Sequence, residues 1–181
     1  MSEEIQILKE VSGKLDSAGI PYMLSGSMAM NYYAQPRMTR DIDIVIILKK
    51  GEVERFVKLF EDDFYIEAET VAAEVARKGM FNIIHNKFII KIDFILNKDG
   101  DYDEYAFGRR KPIDIDGVNV MMISPEDLIL RKLIWAGPGC SDLQMGDINN
   151  LCDMVEELDR DYLLKWSKNL GVVNSLKELL R

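Results

Sequence analysis

Hydrophobic positions change period several times along this chain, and each change marks an element. In residues 3–18, Ile5, Leu8, Val11 and Leu15 recur at three- and four-residue intervals. That spacing predicts a helix, which Gly19 and Pro21 end. "PYMLS" (21–25) predicts a short strand, and "GSMAMNYYA" (26–34) a turn into a second helix. "DIDIVIIL" (41–48) is rich in β-branched residues and predicts a strand. "GEVERFVKLFEDD" (51–63) returns to helical spacing through Val53, Phe56, Val57 and Phe60, and "AETVAAEVARKG" (68–79) predicts another helix ending at Gly79.

The second half continues in the same way. "MFNIIHNKFIIKIDFIL" (80–96) predicts two strands joined near His85-Asn86, with His85 on the surface of the turn. "NKDGDYDEYAFGRR" (97–110) reads as a polar loop. "PIDIDGVNVMMIS" (112–124) alternates around Asp116-Gly117, a strong hairpin signal. "SPEDLILRKLIWAG" (124–137) opens with a Ser cap, Pro at the first helical position and acids in the first turn, all of which suit a helix N-terminus. From about Asp142 to Arg181 the pattern is helical, interrupted near Leu158–Asp161 and at Gly171. The order predicts an α+β fold: a small mixed β-sheet flanked by helices, with a C-terminal helical region. The division is 1–123 for the core domain and 124–181 for the helices packed on it.

Composition narrows the function. The chain has 181 residues, 48% of them hydrophobic, enough for a sizeable core. Charged residues make up 30% and the net charge is −8, which argues against a long nucleic acid as partner because phosphate backbones need clustered Lys and Arg. Cys140 and Cys152 lie in no CxxC or Cys/His spacing, so a zinc site is not expected. Few cysteines, an acidic N-terminus unlike a signal peptide and no apolar run of about 20 residues predict a cytoplasmic protein off the membrane. The apolar positions Leu151, Met154, Val155 and Leu158 fit either the core or a homodimer face, and core is the expectation.

The chemistry concentrates in "RMTRDIDIVI" (37–46). Alternate strand side chains share a face, so Asp41 and Asp43 point one way and Ile42 and Ile44 the other. Carboxylates ~6–7 Å apart along a strand repel by roughly 2–3 kcal/mol at an effective dielectric near 20. A divalent cation removes that cost, and hard oxygen ligands suit Mg²⁺. The spacing alone proves little, because Asp114 and Asp116 repeat it beside the Asp116-Gly117 turn, where the acid serves turn chemistry. Context separates the pairs. Gly26-Ser27 falls where a strand gives way to a helix: either a bare turn and N-cap, or a place where backbone and hydroxyl approach a phosphate. Asp93, in "IIKIDFIL", adds a third acid within an apolar strand and shares its face with Lys91 and Ile95; it either pairs with a Lys or Arg or joins Asp41 and Asp43.

Taken together, "LSGS", "RMTRDIDIVI" and "KIDFIL" resemble the nucleotidyltransferase superfamily, the fold shared with the palm of DNA polymerase β. The match covers about residues 20–96. "ISPEDLILRKLIWAG" and the helical segment after it are similar to the C-terminal half of small bacterial and archaeal relatives, including the AbiEii-type toxin group and minimal nucleotidyltransferases. In them a Lys on a helix and a later Asp complete the nucleotide site, and Lys132 and Asp147 occupy those positions. Those relatives often carry a basic residue just before the Asp, whereas Met145-Gly146 stand here.

The resemblance implies transfer of a nucleoside monophosphate from an NTP, such as ATP, to a hydroxyl acceptor, with pyrophosphate released. Asp41, Asp43 and Asp93 would ligate two Mg²⁺ ions, with Asp93 on the acceptor side activating the hydroxyl. Gly26, Ser27 and Lys132 would bind the phosphates. Arg37 or Arg40 would pair with the acids or meet the acceptor, or the segment is an ordinary surface loop. The acceptor stays open between a protein side chain, a small hydroxylated molecule and a tRNA end. Two other readings remain beside this one: a catalytically silent scaffold binding nucleotide or protein, and a toxin–antitoxin component.

Overall fold

A computed structural model describes residues 2–137 and 142–179, so Cys140 lies outside the described residues. Helix α1 (Glu3–Ser17) leads through strand β1 (Tyr22–Leu24) and helix α2 (Gly26–Tyr33) to strand β2 (Asp41–Ile46). After a 3-10 turn come α3 (Val53–Phe60), β3 (Phe64–Tyr65), α4 (Ala68–Arg77), β4 (Met80–His85) and β5 (Lys91–Leu96). Then follow α5 (Asp101–Gly108), β6 (Lys111–Ile115), β7 (Val118–Met122), α6 (Pro125–Ala136), α7 (Asp142–Met154), α8 (Arg160–Asn169) and α9 (Val173–Leu179).

The strands form one mixed sheet in the order β3-β4-β5-β2-β1-β7-β6. Its central strands are β5, β2 and β1. β2 pairs parallel with β5 and antiparallel with β1, while β1 pairs parallel with β7. One face carries Ile42, Ile44, Phe81, Ile92 and Phe94, all at most 3% exposed. Helix α3 closes that face, with Phe56 edge-on to Phe81 and Phe94 at 5.5 and 5.2 Å between ring centres. On the other face Val45 and Ile95 lie near Leu128 of α6. Helix α6 in turn packs on α2, α7 and α8.

Local chemistry explains the boundaries. The Ser124 hydroxyl accepts from the Asp127 amide at 3.1 Å, capping α6 with Pro125 at its first position. Asp116 and Gly117 take φ of 50° and 82°, and the Asp114 carboxylate accepts from the Gly117 amide, closing the hairpin.

Four expectations need correction. Residues 101–108 form α5 rather than a loop, burying Tyr102, Ala106 and Phe107. The two-residue strand β3 went unseen. The first C-terminal interruption runs over residues 155–159, somewhat earlier than expected. His85 is not a surface residue: it is the last residue of β4 and is buried. Its Nδ1 accepts from the Lys87 and Phe88 amides at 3.2 Å, and its ring packs against Phe64 and Phe88. Period-two alternation puts it with Phe81 and Ile83, on the face opposite Asp93. Of the C-terminal apolar positions, Leu151 is in the core, Val155 and Leu158 are half-buried, and Met154 is exposed.

Candidate active site

The parallel ladder between β2 and β5 assembles the carboxylates. Asp41 lies opposite Lys91 and Asp43 opposite Asp93. Residues opposite one another in a ladder share a face, so the three acids and Lys91 form one polar patch. Asp93 is buried, Asp43 half-buried and Asp41 exposed. The isoleucines between them hold both strands in the core beneath, which fixes the register.

Gly26 brings the backbone of α2 onto this patch. The Ser25 amide donates to the Asp43 carbonyl at 2.8 Å, extending the β1–β2 pairing by one step. The chain then turns at Gly26 with φ of 61°, a left-handed conformation that favours glycine. Space also requires glycine, because a Cβ there would lie 1.8 Å from Asp43 Oδ2. Ser25 is the N-cap and its side chain makes no cap bond. Ser27 is therefore the second helical residue rather than a cap. The positive end of α2 lies beside the Asp43 carboxylate, a place where anions bind readily.

Electrostatics match this crowding. Burial pushes the Asp43 carboxyl up from its ordinary value, and Asp93 and then Asp41 push it further, against Lys132 and Lys91. The Lys91 ammonium lies 2.8 Å from Asp93 Oδ2 and 3.5 Å from Asp41 Oδ2. The hydrogen bond to Asp93 holds the Lys91 pKa above its usual value, burial opposing.

A second cluster flanks the first. Asp147, 5% exposed, receives Arg37 in a fork, Nε to Oδ1 and a terminal nitrogen to Oδ2, both at 2.9 Å. The same Arg37 nitrogen donates to Ser27 Oγ at 2.8 Å. Lys132 donates to Asp147 Oδ2 at 2.9 Å. Burial raises the Asp147 carboxyl, but the Arg37 and Lys132 hydrogen bonds outweigh it, and its pKa lies below the ordinary value. Asp147, with no basic residue just before it, takes two cations through space.

The structure thus brings Asp41, Asp43, Asp93, Gly26 and Lys132 to one site. It joins Ser27, Arg37 and Asp147 into the adjoining network. Arg37 pairs with Asp147 rather than with the paired acids. Arg40 has no ion pair among the described residues and lines a separate cavity of about 570 Å³ with Met28, Tyr32 and Met38. A smaller cavity, about 170 Å³, adjoins the acids: Gly26, Asp43, Val45, Ile95, Lys132 and Trp135 are among the residues that line it. Two residues at or beside the candidate site were not singled out from the sequence. Lys91 was visible as a period-two partner of Asp93, and Trp135 as the residue one helical turn beyond Lys132.

Whether the site suits a metal turns on its donors. Among the described residues, no three His, Cys, Asp or Glu side chains are gathered to hold an ion as they stand. Lys91 bridges Asp41 and Asp93, while Asp43 lies against Gly26. Three carboxylates still face a single bridging lysine, and Asp147 engages the neighbouring cations. The hard oxygens and the uncompensated negative charge fit a divalent cation, provided Lys91 swings aside.

Comparison with known proteins identifies the fold and the family. In solved structures the fold is similar to an antigenic nucleotidyltransferase-like protein from Paracoccidioides brasiliensis, at 19% identity and a TM-score of 0.56, covering 99% of this chain and 93% of that one. It is similar to the lincosamide antibiotic adenylyltransferase LnuA, solved with lincomycin bound, at 14% identity and a TM-score of 0.57, over 85% of this chain and 98% of that one. A third similar structure is ANT(2")-Ia in complex with adenylyl-2"-tobramycin, at 16% identity and a TM-score of 0.58, over 94% and 98% of the two chains. No curated protein matches. Residues 4–161 match the family described as "Nucleotidyl transferase of unknown function (DUF2204)", and the chain belongs to this nucleotidyl transferase family.

Proposed function

We propose that the protein is a Mg²⁺-dependent enzyme that transfers a nucleoside monophosphate from an NTP to a hydroxyl acceptor. The supporting observation is the register that sets Asp43 beside Asp93, with the Gly26 backbone pressed on the same carboxylate. Asp41, Asp43 and Asp93 would hold the Mg²⁺, whose chemistry when bound is to neutralise the triphosphate and the charge developing on the leaving group. The first turn of α2 and Lys132 receive the phosphates. Arg37, held by Asp147, donates from the same terminal nitrogen to Ser27 and keeps that turn in place. Asp93 accepts the proton of the attacking hydroxyl as the new oxygen–phosphorus bond forms at the α-phosphate. The bond from the α-phosphorus to the bridging oxygen breaks, and pyrophosphate departs with that oxygen.

We assign the acceptor to the small hydroxylated molecules. A net charge of −8 argues against long polyanions. Two proteins of similar fold are an adenylyltransferase with lincomycin bound and a complex with adenylyl-2"-tobramycin. The test is incubation with α-labelled NTPs, Mg²⁺ and separate panels of small polyols, proteins and tRNA. Label should reach a small acceptor and vanish in Asp43→Asn. Label in the tRNA or protein arm would overturn the acceptor class.

The bridge from Lys91 to Asp41 and Asp93 favours a second reading, a nucleotide-binding protein without transfer, two of its three carboxylates paired internally. Nucleotide binding by calorimetry that ignores both Mg²⁺ and Asp43→Asn, with no labelled product, would support it.

A further inference from the structure

Gly26, Asp43 and Lys132 line the 170 Å³ cavity, and Trp135 stands in the wall of the same cavity. Trp135 is 60% exposed, whereas the only other tryptophan, Trp166, is 7% exposed and packs on Tyr102, Tyr105 and Tyr162. Among the described residues no ring, cation or hydrogen bond engages the Trp135 indole. It lies three residues beyond Lys132 on α6, a spacing that puts both side chains on one helix face. Val45, Ile95 and Leu128 give the cavity an apolar lining. A second cavity, of about 360 Å³, shares Ile95, Arg131 and Trp135 and continues past the indole towards Tyr102 and Leu170. The two cavities adjoin at Ile95, Arg131 and Trp135; around the indole, Leu96, Tyr102, Ile134 and Leu170 lie among the charged Lys98, Asp103 and Arg131.

We propose that Trp135 is the stacking platform for the nucleobase of the bound NTP. This rests on the nucleotidyl-transfer reading above and adds to it how the base is held. A nucleotide with its phosphates on Gly26 and Lys132 has one apolar, aromatic direction in which to lay its base, along α6 to Trp135. Every base has a π-face, so an indole holds the base by contact area more than by identity. The larger purine ring covers more of it, and the site prefers ATP and GTP over CTP and UTP.

The test uses the full chain, Mg²⁺ and each of the four NTPs, with binding read in parallel by calorimetry and tryptophan emission. In Trp166→Phe the signal comes from Trp135 alone, and ATP should quench it. If that variant fails to fold, the difference between wild type and Trp135→Phe supplies the same signal. Trp135→Ala should weaken ATP binding about tenfold, Trp135→Phe much less, and the purine preference should disappear in the alanine variant. The indole is exposed, so both variants should keep the wild-type melting temperature. If wild type binds Mg·ATP but Trp135→Ala binds it equally well, the stacking role is overturned and the proposed reaction stands. If wild type binds no NTP, both fall together. If Trp135→Ala instead converts a dimer to a monomer in sedimentation, the indole belongs to a contact between copies and the proposal is overturned.

Discussion

Two residues in the site carry conformational and charge requirements that single substitutions expose. Gly26 combines a φ of 61° with a carboxylate oxygen 1.8 Å from where a Cβ would sit. Gly26→Ala therefore strains the turn and displaces Asp43 at the same time. It should cost about 1–3 kcal/mol of stability, read as a lower melting temperature, and abolish Mg²⁺-dependent NTP binding. A variant that binds as wild type would show that the close approach has no role in the site. Lys91 makes the opposite case. Its ammonium holds the place between Asp41 and Asp93 that a cation would take. Lys91→Met should lower the melting temperature without metal, because three acids then face one another. It should also bind Mg²⁺ more tightly, by at least about tenfold, since two unit charges ~4 Å apart interact by about 1 kcal/mol in bulk water and about 4 near a protein surface, and the ion carries two. Calorimetric titration of metal into both proteins checks it, and unchanged affinity would mean that Lys91 and the metal do not compete.

At the scale of elements, buried charges lock the helices to the sheet. Asp147 on α7 receives Arg37 from the α2–β2 loop and Lys132 from α6. Asp147→Asn leaves the nearly buried Lys132 facing a neutral group, which should cost about 3 kcal/mol and free both cations from their positions. Denaturant unfolding measures the first effect and NTP affinity the second. Further along α6, Asp127 accepts from the Tyr162 and Ser124 hydroxyls at 2.6 Å, joining α8 to α6. Burial pushes its carboxyl above the ordinary value, against those hydrogen bonds and against Arg109 and Arg131. The folded protein thus keeps a proton that the unfolded chain releases. Its contribution makes stability fall as pH rises from about 4 to the raised value, and is level above it. Asp127→Asn should remove that slope from a melting-temperature profile, and a profile identical to wild type would contradict the assignment. These ties also mark what the sequence shows and what it hides. Elements with a long period were legible, as were Asp41 and Asp43, because alternation along one strand is a local property. Helix α5 was not: its acids Asp101, Asp103 and Glu104 look like a solvated loop, although they suit a helix first turn, and its apolar residues span little more than one turn. The pairing of Asp43 with Asp93, and of Asp147 with Arg37, depends on strand order and helix docking between segments 50 and 110 residues apart. No spacing rule carries that information.

For the molecule as a whole, the decisive feature is that the site and the core are completed by the same distant segments. One continuous apolar cluster joins Met23 and Val45 of the central strands and Met30 of α2 to Leu128, Leu133, Ile148, Leu151, Leu163 and Leu176 of the C-terminal helices. Lys132 and Asp147 come from those helices, while the three acids come from the sheet and Gly26 from the start of α2. A chain ending at residue 123 would lose the helices that cover this side of the core, exposing Met23, Met30 and Val45 to water. It would also leave Arg37 without Asp147 and the cavity beside Asp43 without Lys132. Each fully exposed large apolar side chain forfeits about 1.5–3 kcal/mol, so a few of them exceed the stability of a typical domain. The helices between Pro125 and Leu179 should therefore unfold together with the sheet. In urea, loss of helical ellipticity and loss of bound NTP from the full chain should share one midpoint, and the 1–123 fragment should show no cooperative transition and no NTP binding. A fragment that melts sharply and still binds Mg·ATP would place both the stability and the nucleotide contacts within the sheet half, and would remove Lys132 from the site.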